Sequence, residues 1–158
     1  MGSEAERGVR GFTVELVRHD WQRFDDVLDL SYDVLYRGFG VAREGDWYHP
    51  ANGSEFAVAL DAAGLLLGTA RLLPASGDAA RQVRQVAVSP DARGRGIGRA
   101  LMDELERVSA AEGASHVWLH ARENAFGFYA RLGYVTESEI FVSELTGIPH
   151  RTMRKRLT

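Results

Sequence analysis

The feature that most constrains the fold of this chain is a glycine-rich turn between a strand pattern and a helix pattern. Residues 93–98 read R-G-R-G-I-G and follow an apolar segment at residues 82–88. After the turn, apolar residues recur at positions 97, 101, 105 and 108, which is the spacing of one helix face. A second strand pattern follows at residues 116–121. Because a strand, a crossover helix and a second strand require a parallel pair, the sequence predicts a sheet that contains one.

The rest of the chain predicts strands joined by hairpins around that crossover. The segments at 55–60 and 65–73 are joined by Asp61-Ala62-Ala63-Gly64, whose composition is typical of a hairpin turn. Both faces of the segment at 82–88 are apolar, which predicts a central strand. We therefore expect an α/β (mixed α+β) fold with a central mixed sheet of about six to seven strands and helices on both faces. The other predicted elements are strands at 12–18, 134–142 and 152–157 and helical segments at 20–40 and 123–132.

The size and composition of the chain fit one domain. Its 158 residues, 45% of them apolar, can bury a core, and we expect a single domain at 12–158 after a flexible N-terminal lead at 1–11. No stretch reaches the roughly 18 apolar residues of a membrane span and no secretory signal is evident, so we expect a cytoplasmic protein without a membrane partner. The absence of cysteine excludes disulfides, thiolate metal sites and an acyl-cysteine intermediate.

Charge is distributed unevenly along the chain. The net charge of −3 argues against a nucleic-acid partner held by a basic surface. Between positions 71 and 99, however, six arginines stand against two aspartates. This local excess suits a small polyanion, and a solvated basic face is the alternative for each residue. The arginines are Arg71, Arg81, Arg84, Arg93, Arg95 and Arg99.

The glycine-rich turn has the composition of an anion-binding site. A helix N-terminus presents free main-chain N–H groups at the positive end of the helix dipole, and glycines allow a diphosphate to approach them. The spacing excludes two common nucleotide sites. Arg99 or Leu101 stands where a dinucleotide-binding turn needs its third glycine, and the chain has no G-x-x-x-x-G-K-[ST] run.

The spacing that fits is R-x-x-G-x-G, filled by Arg93, Gly96 and Gly98. Residues 85–101, QVAVSPDARGRGIGRAL, resemble the coenzyme A signature of the GNAT superfamily of N-acetyltransferases. Residues 121–134, ARENAFGFYARLGY, resemble a second GNAT segment, A-x-x-x-N-x-x-A-x-x-F-Y-x-x-x-G-[FY], with shortened spacing after the asparagine. The G-I-P-H run at 147–150 resembles the ending of a subgroup of small bacterial members.

The resemblance implies a GNAT-like fold whose sheet splays beside the glycine-rich strand. It implies direct transfer of an acetyl group from acetyl-CoA to a primary amine through a tetrahedral intermediate, without an acyl-enzyme. The acceptor would be a small-molecule or peptide amine, and an amino acid, a polyamine, an aminosugar and a protein N-terminus all stay open. A non-catalytic sensor or interaction module that binds coenzyme A on the same fold is the alternative function, and a homodimer is left open.

The resemblance also implies which residues meet the cofactor. Main-chain groups of Val86 and Val88 would bind the pantetheine arm, and an amide near Val88 would polarise the thioester carbonyl. The Tyr129 hydroxyl would face the sulfur and act as the acid, although an aromatic residue at this point of a helix is otherwise expected in the core. The implied cofactor-binding residues are Val86, Ala87, Val88, Arg93, Gly94, Arg95, Gly96, Ile97, Gly98, Arg99, Asn124, Phe128 and Tyr129.

The general base is not fixed by the sequence. Together with Tyr129, we take Glu44 and His120 as the candidate catalytic residues, and Asp46 and His150 as further possible bases. We predict no metal, because His19 and His49 have no third ligand at a suitable spacing. The segment at 36–50 carries Phe39, Trp47 and Tyr48, which either wall an acceptor pocket or pack on the sheet.

Overall fold

The computed structural model of the chain describes residues 11–48 and 53–158. The predicted flexible lead, apart from Gly11, and the histidine at position 49 lie outside these residues. The strands are β1 Phe12–Val17, β2 Glu55–Asp61, β3 Leu66–Leu72, β4 Ala80–Val88, β5 His116–Arg122, β6 Val135–Thr136, β7 Phe141–Val142 and β8 Pro149–Arg156. The helices are α1 Phe24–Ser31, which continues into a π-helical turn at Tyr32–Tyr36, α2 Ile97–Ala111 and α3 Phe126–Arg131. Short 3-10 turns lie at Pro90–Ala92 and Glu123–Ala125.

The strands form one mixed sheet in the order β1-β2-β3-β4-β5-β8-β6, with β7 also paired to β8. The β4–β5 pair is parallel and the other pairs are antiparallel, which confirms the crossover predicted around the glycine-rich turn. Within residues 11–48 and 53–158 the sheet has eight strands rather than six or seven, because the segment at 134–142 forms two two-residue strands that pair separately with β8. Among the described residues, no helix is both long and apolar enough to cross a membrane.

Helices cover both faces of the sheet, as predicted. Successive residues of β2 point to opposite faces. Ala57 and Ala59 lie in one buried cluster with the apolar face of α2, which presents Ile97, Leu101 and Leu105. The other face of β2 packs against α1 in a second cluster, in which buried apolar side chains contribute roughly 1.5–3 kcal/mol each. The side chains of this second cluster are Phe24, Val27, Leu28, Phe56, Val58 and Leu66.

The sheet splays between β4 and β5, and this opening creates the site. Among the described residues, the two strands pair only where Ala80–Gln82 meets His116–Trp118. Beyond that point, β4 stays with β3 while β5 follows β8 to its end. The divergence coincides with a bulge in β4, where Gln85 has a φ of 54°. Between the pairs Thr69–Ala87 and Arg71–Arg84, β3 advances by two residues and β4 by three. Such a bulge bends the strand that carries the extra residue.

Candidate active site

A cavity of about 710 Å³ lies in the opening between β4 and β5. It is lined by the two strands, the π-helical turn after α1, the segment at 44–47, the 3-10 turn before α3, Tyr129 of α3 and the loop before β8. Of the predicted cofactor-binding and catalytic residues, seven line this cavity and are therefore brought together by the fold. They are Glu44, Val86, Val88, Arg93, His120, Asn124 and Tyr129.

The β4 edge offers main-chain groups to the cavity at alternate residues. The N–H of Ser89 donates to the carbonyl of Leu67 at 2.8 Å, and Ala87 is paired with β3. Because successive main-chain groups of a strand point to opposite edges, those of Val86 and Val88 face the splayed side. Ala87 was predicted beside them, but its side chain is 1% exposed in the core and its main chain is directed to β3.

The glycine-rich turn ends in a helix N-terminus with free amides. Gly96 caps α2 in the left-handed conformation, with a φ of 78°, and no side chain caps the helix at this residue. The first intrahelical bond runs from the N–H of Ala100 to the carbonyl of Gly96 at 3.0 Å. The three preceding amides of the helix therefore have no intrahelical acceptor. At both Gly94 and Gly96 an added Cβ would meet no atom within 4 Å, so the space above the turn is open to a ligand.

The other predicted residues of the turn either pack against the core and support the turn or are exposed to solvent. Ile97 is 1% exposed and belongs to the core, so its side chain anchors the turn rather than reaching a ligand. A Cβ at Gly98 would lie 3.0 Å from the Phe128 ring, so this glycine allows α2 to approach α3 closely. The three arginines of the turn are exposed cations around its free amides, and this donor set fits a diphosphate. These arginines are Arg93, Arg95 and Arg99.

Tyr129 is both a packed residue and a cavity residue. It is 7% exposed, and its ring lies edge-on to Phe128 and Tyr134 at 4.9 Å and 5.7 Å between ring centroids. Burial raises the pKa of the Tyr129 hydroxyl well above its ordinary value, although the positive charge of Arg122 opposes this shift. The hydroxyl is therefore protonated at neutral pH and can donate a hydrogen bond.

His120 has the protonation state of a base. Burial lowers its pKa, and the positive charges of Arg84 and His150 lower it further. Its Nδ1 lies 3.0 Å from Oγ1 of Thr152, a contact that orients the ring. The imidazole is therefore neutral at pH 7 and can accept a proton. Glu44, the other candidate, is exposed at the rim of the same cavity.

A buried arginine, noted in the sequence only as part of the basic excess, joins β3 to the segment at 44–47 and to the bulge in β4. Arg71 on β3 is 1% exposed. Its Nε donates to Oγ of Ser54 at 2.9 Å, and its Nη1 donates to Asp46 at 3.1 Å and to the bulge residue Gln85 at 3.0 Å. Asp46, one of the possible bases, is thus held in an ion pair with Arg71. A charged residue within the otherwise apolar segment at 65–73 was the available signal.

The aromatic residues of the segment at 36–48 both pack and line the cavity. Trp47 lies 4.5 Å from Tyr36 and 5.4 Å from Tyr48 between ring centroids, and its Nε1 donates to the carbonyl of Ala42 at 3.2 Å. Trp47 and Tyr36 also line the cavity, whereas Phe39 is 43% exposed. Tyr36 and Trp47 thus pack together in one cluster and also line the cavity.

Comparison with known proteins points to one family. Residues 52–136 match the family model described as "Acetyltransferase (GNAT) domain". A Bacillus subtilis protein named as an acetyltransferase is 39% identical over 75 residues, which are 48% of this chain and 50% of that protein. A mycothiol acetyltransferase from Nocardia farcinica is 42% identical over 79 residues, 49% of this chain and 25% of that protein. The chain thus spans about half the length of the first relative and a quarter of the second.

Solved structures share the fold over nearly the whole chain. A Lactobacillus plantarum protein named as an N-acetyltransferase has a TM-score of 0.80 and 22% identity, covering 94% of this chain and 99% of its own. An aminoglycoside 6'-N-acetyltransferase complexed with coenzyme A has a TM-score of 0.75 and 16% identity, covering 92% of this chain and 97% of its own. At these identities the likeness establishes the fold.

Proposed function

The chain belongs to the GNAT acetyltransferase family, and on that premise we propose that it transfers an acetyl group from acetyl-CoA to a primary amine of a small-molecule or peptide acceptor. The observation that carries this proposal is the position of Tyr129. This tyrosine lines the same cavity as the free β4 edge, and that edge leads directly into the glycine-rich turn. The Tyr129 hydroxyl as a hydrogen-bond donor, the main-chain edge of β4 and the proposed anion site at the glycine-rich turn thus follow one path.

The proposed cofactor site follows this path. The diphosphate would rest on the free amides of the α2 N-terminus, with Arg93, Arg95 and Arg99 adding charge. The pantetheine arm would extend along the main chain of Val86 and Val88. Asn124 and Phe128 flank this path, because Asn124 lines the cavity and Phe128 packs against the turn. Acetyl-CoA supplies an activated thioester.

The proposed reaction is a direct transfer of the acetyl group, without a covalent enzyme intermediate. The amine nitrogen attacks the thioester carbonyl carbon, whose oxygen accepts a hydrogen bond from the Val88 N–H. The tetrahedral intermediate then breaks its C–S bond and releases the thiolate. Because a thiol has a reference pKa near 8.5 and the pKa of Tyr129 is raised, the Tyr129 hydroxyl stabilises the thiolate mainly by donating a hydrogen bond.

The proton lost by the attacking amine needs an acceptor, and His120 is our first choice. It is neutral at pH 7, lies in the cavity and is oriented by Thr152. Glu44 is the second candidate, since its carboxylate lies at the cavity rim and can relay the proton through water.

Release of free thiol from acetyl-CoA tests this function. We expect thiol release that depends on an added amine, measured across amino acids, polyamines, aminosugars and short peptides. Mass spectrometry should find the acetyl group on the amine of the active acceptor. Tight binding of coenzyme A without thiol release from any of these amines would instead favour the non-catalytic sensor or interaction module.

A further inference from the structure

Arg122 is a half-buried cation that projects from the end of β5 into the cavity. Its Nη2 donates to the carbonyl of Leu35 at 2.6 Å, so the side chain reaches from β5 to the π-helical turn after α1. Within residues 11–48 and 53–158, no carboxylate forms an ion pair with it. Because a partly desolvated charge without a counter-ion is unfavourable, an anionic group bound here would be stabilised.

The surroundings of Arg122 are rich in positive charge. Burial raises the pKa of Tyr36, whereas Arg122, Arg71 and Arg84 all lower it and Asp46 raises it. The same three arginines and Asp46 line the cavity together with Tyr36, so three guanidinium groups and one carboxylate border one space. The carboxylate of Asp46 is engaged by Arg71 at 3.1 Å and by Arg84 at 3.7 Å. Arg122 is therefore the guanidinium of this group whose charge Asp46 does not pair.

The opposite charge lies at the rim of the same cavity. Glu44 lines the cavity, and among the described residues it forms no ion pair. A carboxylate at the rim and an unpaired guanidinium inside suit a small molecule that carries both an ammonium and a carboxylate. A polyamine or an aminoglycoside would instead bring several positive charges towards the three arginines, and like charges in one site are repulsive.

We propose that the acceptor is an amine that also carries a carboxylate, as an α-amino acid does, and that Arg122 binds this carboxylate with support from Arg84. The planar guanidinium of Arg122 can donate two parallel hydrogen bonds to a carboxylate, whereas a neutral amide offers a single acceptor oxygen. The inference rests on the proposed acetyl transfer for the identity of the site, but it concerns recognition only.

Calorimetry of the CoA-saturated protein tests this recognition without requiring turnover. The ligands are a panel of α-amino acids, each paired with its amide, together with spermidine. We expect at least one acid to bind about tenfold more tightly than its amide, as the loss of a charge-assisted hydrogen bond predicts. If every amide or spermidine bound as tightly as the acids, the proposal would be overturned.

Arg122→Gln identifies the residue responsible. The neutral side chain removes the guanidinium charge and is two bonds too short for the bond to the carbonyl of Leu35. The acid-to-amide ratio should therefore fall towards one, and the melting temperature is measured alongside to show that the variant is folded. Arg107→Gln is the control, because Arg107 is exposed on α2 and paired with Glu104 at 2.8 Å, and its ratio should equal that of the wild type. An unchanged ratio in folded Arg122→Gln contradicts the proposal.

Arg84→Gln keeps the proposal testable if Arg122→Gln does not fold. Its side chain is 46% exposed, so the substitution is tolerated more easily, and a smaller fall in the acid-to-amide ratio is expected. A ratio equal to that of the wild type would contradict the proposal. Acid preference without thiol release would reject acetyl transfer alone, whereas thiol release without acid preference would reject only the carboxylate.

Discussion

The two halves of the cleft are built in different ways. The half proposed to bind coenzyme A, which we call the cofactor half, consists of main-chain groups from one contiguous stretch, the end of β4 and the glycine-rich turn that opens α2. The half proposed to bind the acceptor, which we call the acceptor half, consists of side chains from separate segments. Its central ion pair joins Arg71 to Asp46 across 25 residues of sequence. We therefore expect side-chain substitutions to change which ligand the acceptor half binds. In the cofactor half, by contrast, any atom added above the main chain should weaken ligand binding.

The largest effect is expected from Gly96→Val, which adds a branched side chain where the turn is open. The side chain would cover the free amides, so binding of acetyl-CoA should fall below detection by calorimetry. The positive φ of 78° also strains valine, at a cost of roughly 1–3 kcal/mol in the free energy of unfolding.

Gly113→Val is the matched control for that strain. Gly113 has a φ of 91°, open space at its Cβ position and a place after the other end of α2. The control should lose a similar free energy of unfolding and keep the wild-type affinity for acetyl-CoA. Equal affinities in the two variants would remove the distinction between the halves.

Tyr129→Phe tests the point where the halves meet. Removing only the hydroxyl takes away the hydrogen bond to the departing thiolate, so kcat should fall by roughly 10²-fold, with acetyl-CoA affinity and melting temperature nearly unchanged. The measurement is steady-state thiol release under conditions in which chemistry limits the rate.

Tyr134→Phe is the control, because this buried hydroxyl donates to Glu106 at 2.8 Å and Tyr134 does not line the cavity. It should keep kcat and lose about 1 kcal/mol of the free energy of unfolding. Full turnover in Tyr129→Phe would show that the Tyr129 hydroxyl does not stabilise the departing thiolate.

His120→Asn should have a smaller effect that depends on pH. Because the pKa of His120 is lowered, the wild-type histidine is already a neutral base at pH 7, and it loses this role only when acid protonates it below that lowered pKa. At pH 7 the variant should be about tenfold slower, at or below the low end for general base catalysis, because water can replace the imidazole. The difference in rate between the variant and the wild type should shrink as the pH rises towards the pKa of the acceptor amine, because more of the amine then arrives unprotonated.

His116→Asn is the control for this pH profile. His116 lies on the same strand, has its Nδ1 2.8 Å from Oγ of Ser115 and does not line the cavity. Its pH–rate profile should match that of the wild type. A deficit in His120→Asn that stayed constant from pH 6 to pH 10 would transfer the role to Glu44 or to water.

The smallest effects are expected for alanine at Arg93, Arg95 or Arg99. Each is exposed, so each should weaken acetyl-CoA binding by no more than about fivefold, as solvent-screened charge pairs do. The loss should diminish further as the salt concentration rises. Arg107→Ala supplies the comparison on the same helix. A loss that is large and independent of salt would show that side chains dominate the cofactor half.

The cofactor half could be predicted from the sequence because its signals are local. The apolar spacing from Ile97 to Val108 gives the helix, and the glycine spacing gives the turn. The free main-chain edge of Val86 and Val88 was expected from the resemblance. The bulge at Gln85 was not predicted, because a non-glycine residue with positive φ leaves no mark in the hydrophobic pattern.

The acceptor half could not be assembled from the sequence because its contacts are long-range. The bond from Arg122 to the carbonyl of Leu35 spans 87 residues, and nothing in either local pattern announces it. Arg71 was visible only as one member of a basic excess, although a buried charge on an apolar strand needs a partner. Asp46, proposed as a base, proved to be that partner.

Amide chemical shifts offer the most direct measurement of the central claim, that the free main chain of the turn holds the diphosphate. The ¹H–¹⁵N spectrum of the protein should be recorded with coenzyme A and, separately, with pantetheine, which lacks the diphosphate. If the turn holds the diphosphate, coenzyme A should shift the amides of residues 94–99 together with those of Val86 and Val88, whereas pantetheine should shift only the β4 amides. Unshifted amides at 94–99 in the presence of saturating coenzyme A would contradict this claim.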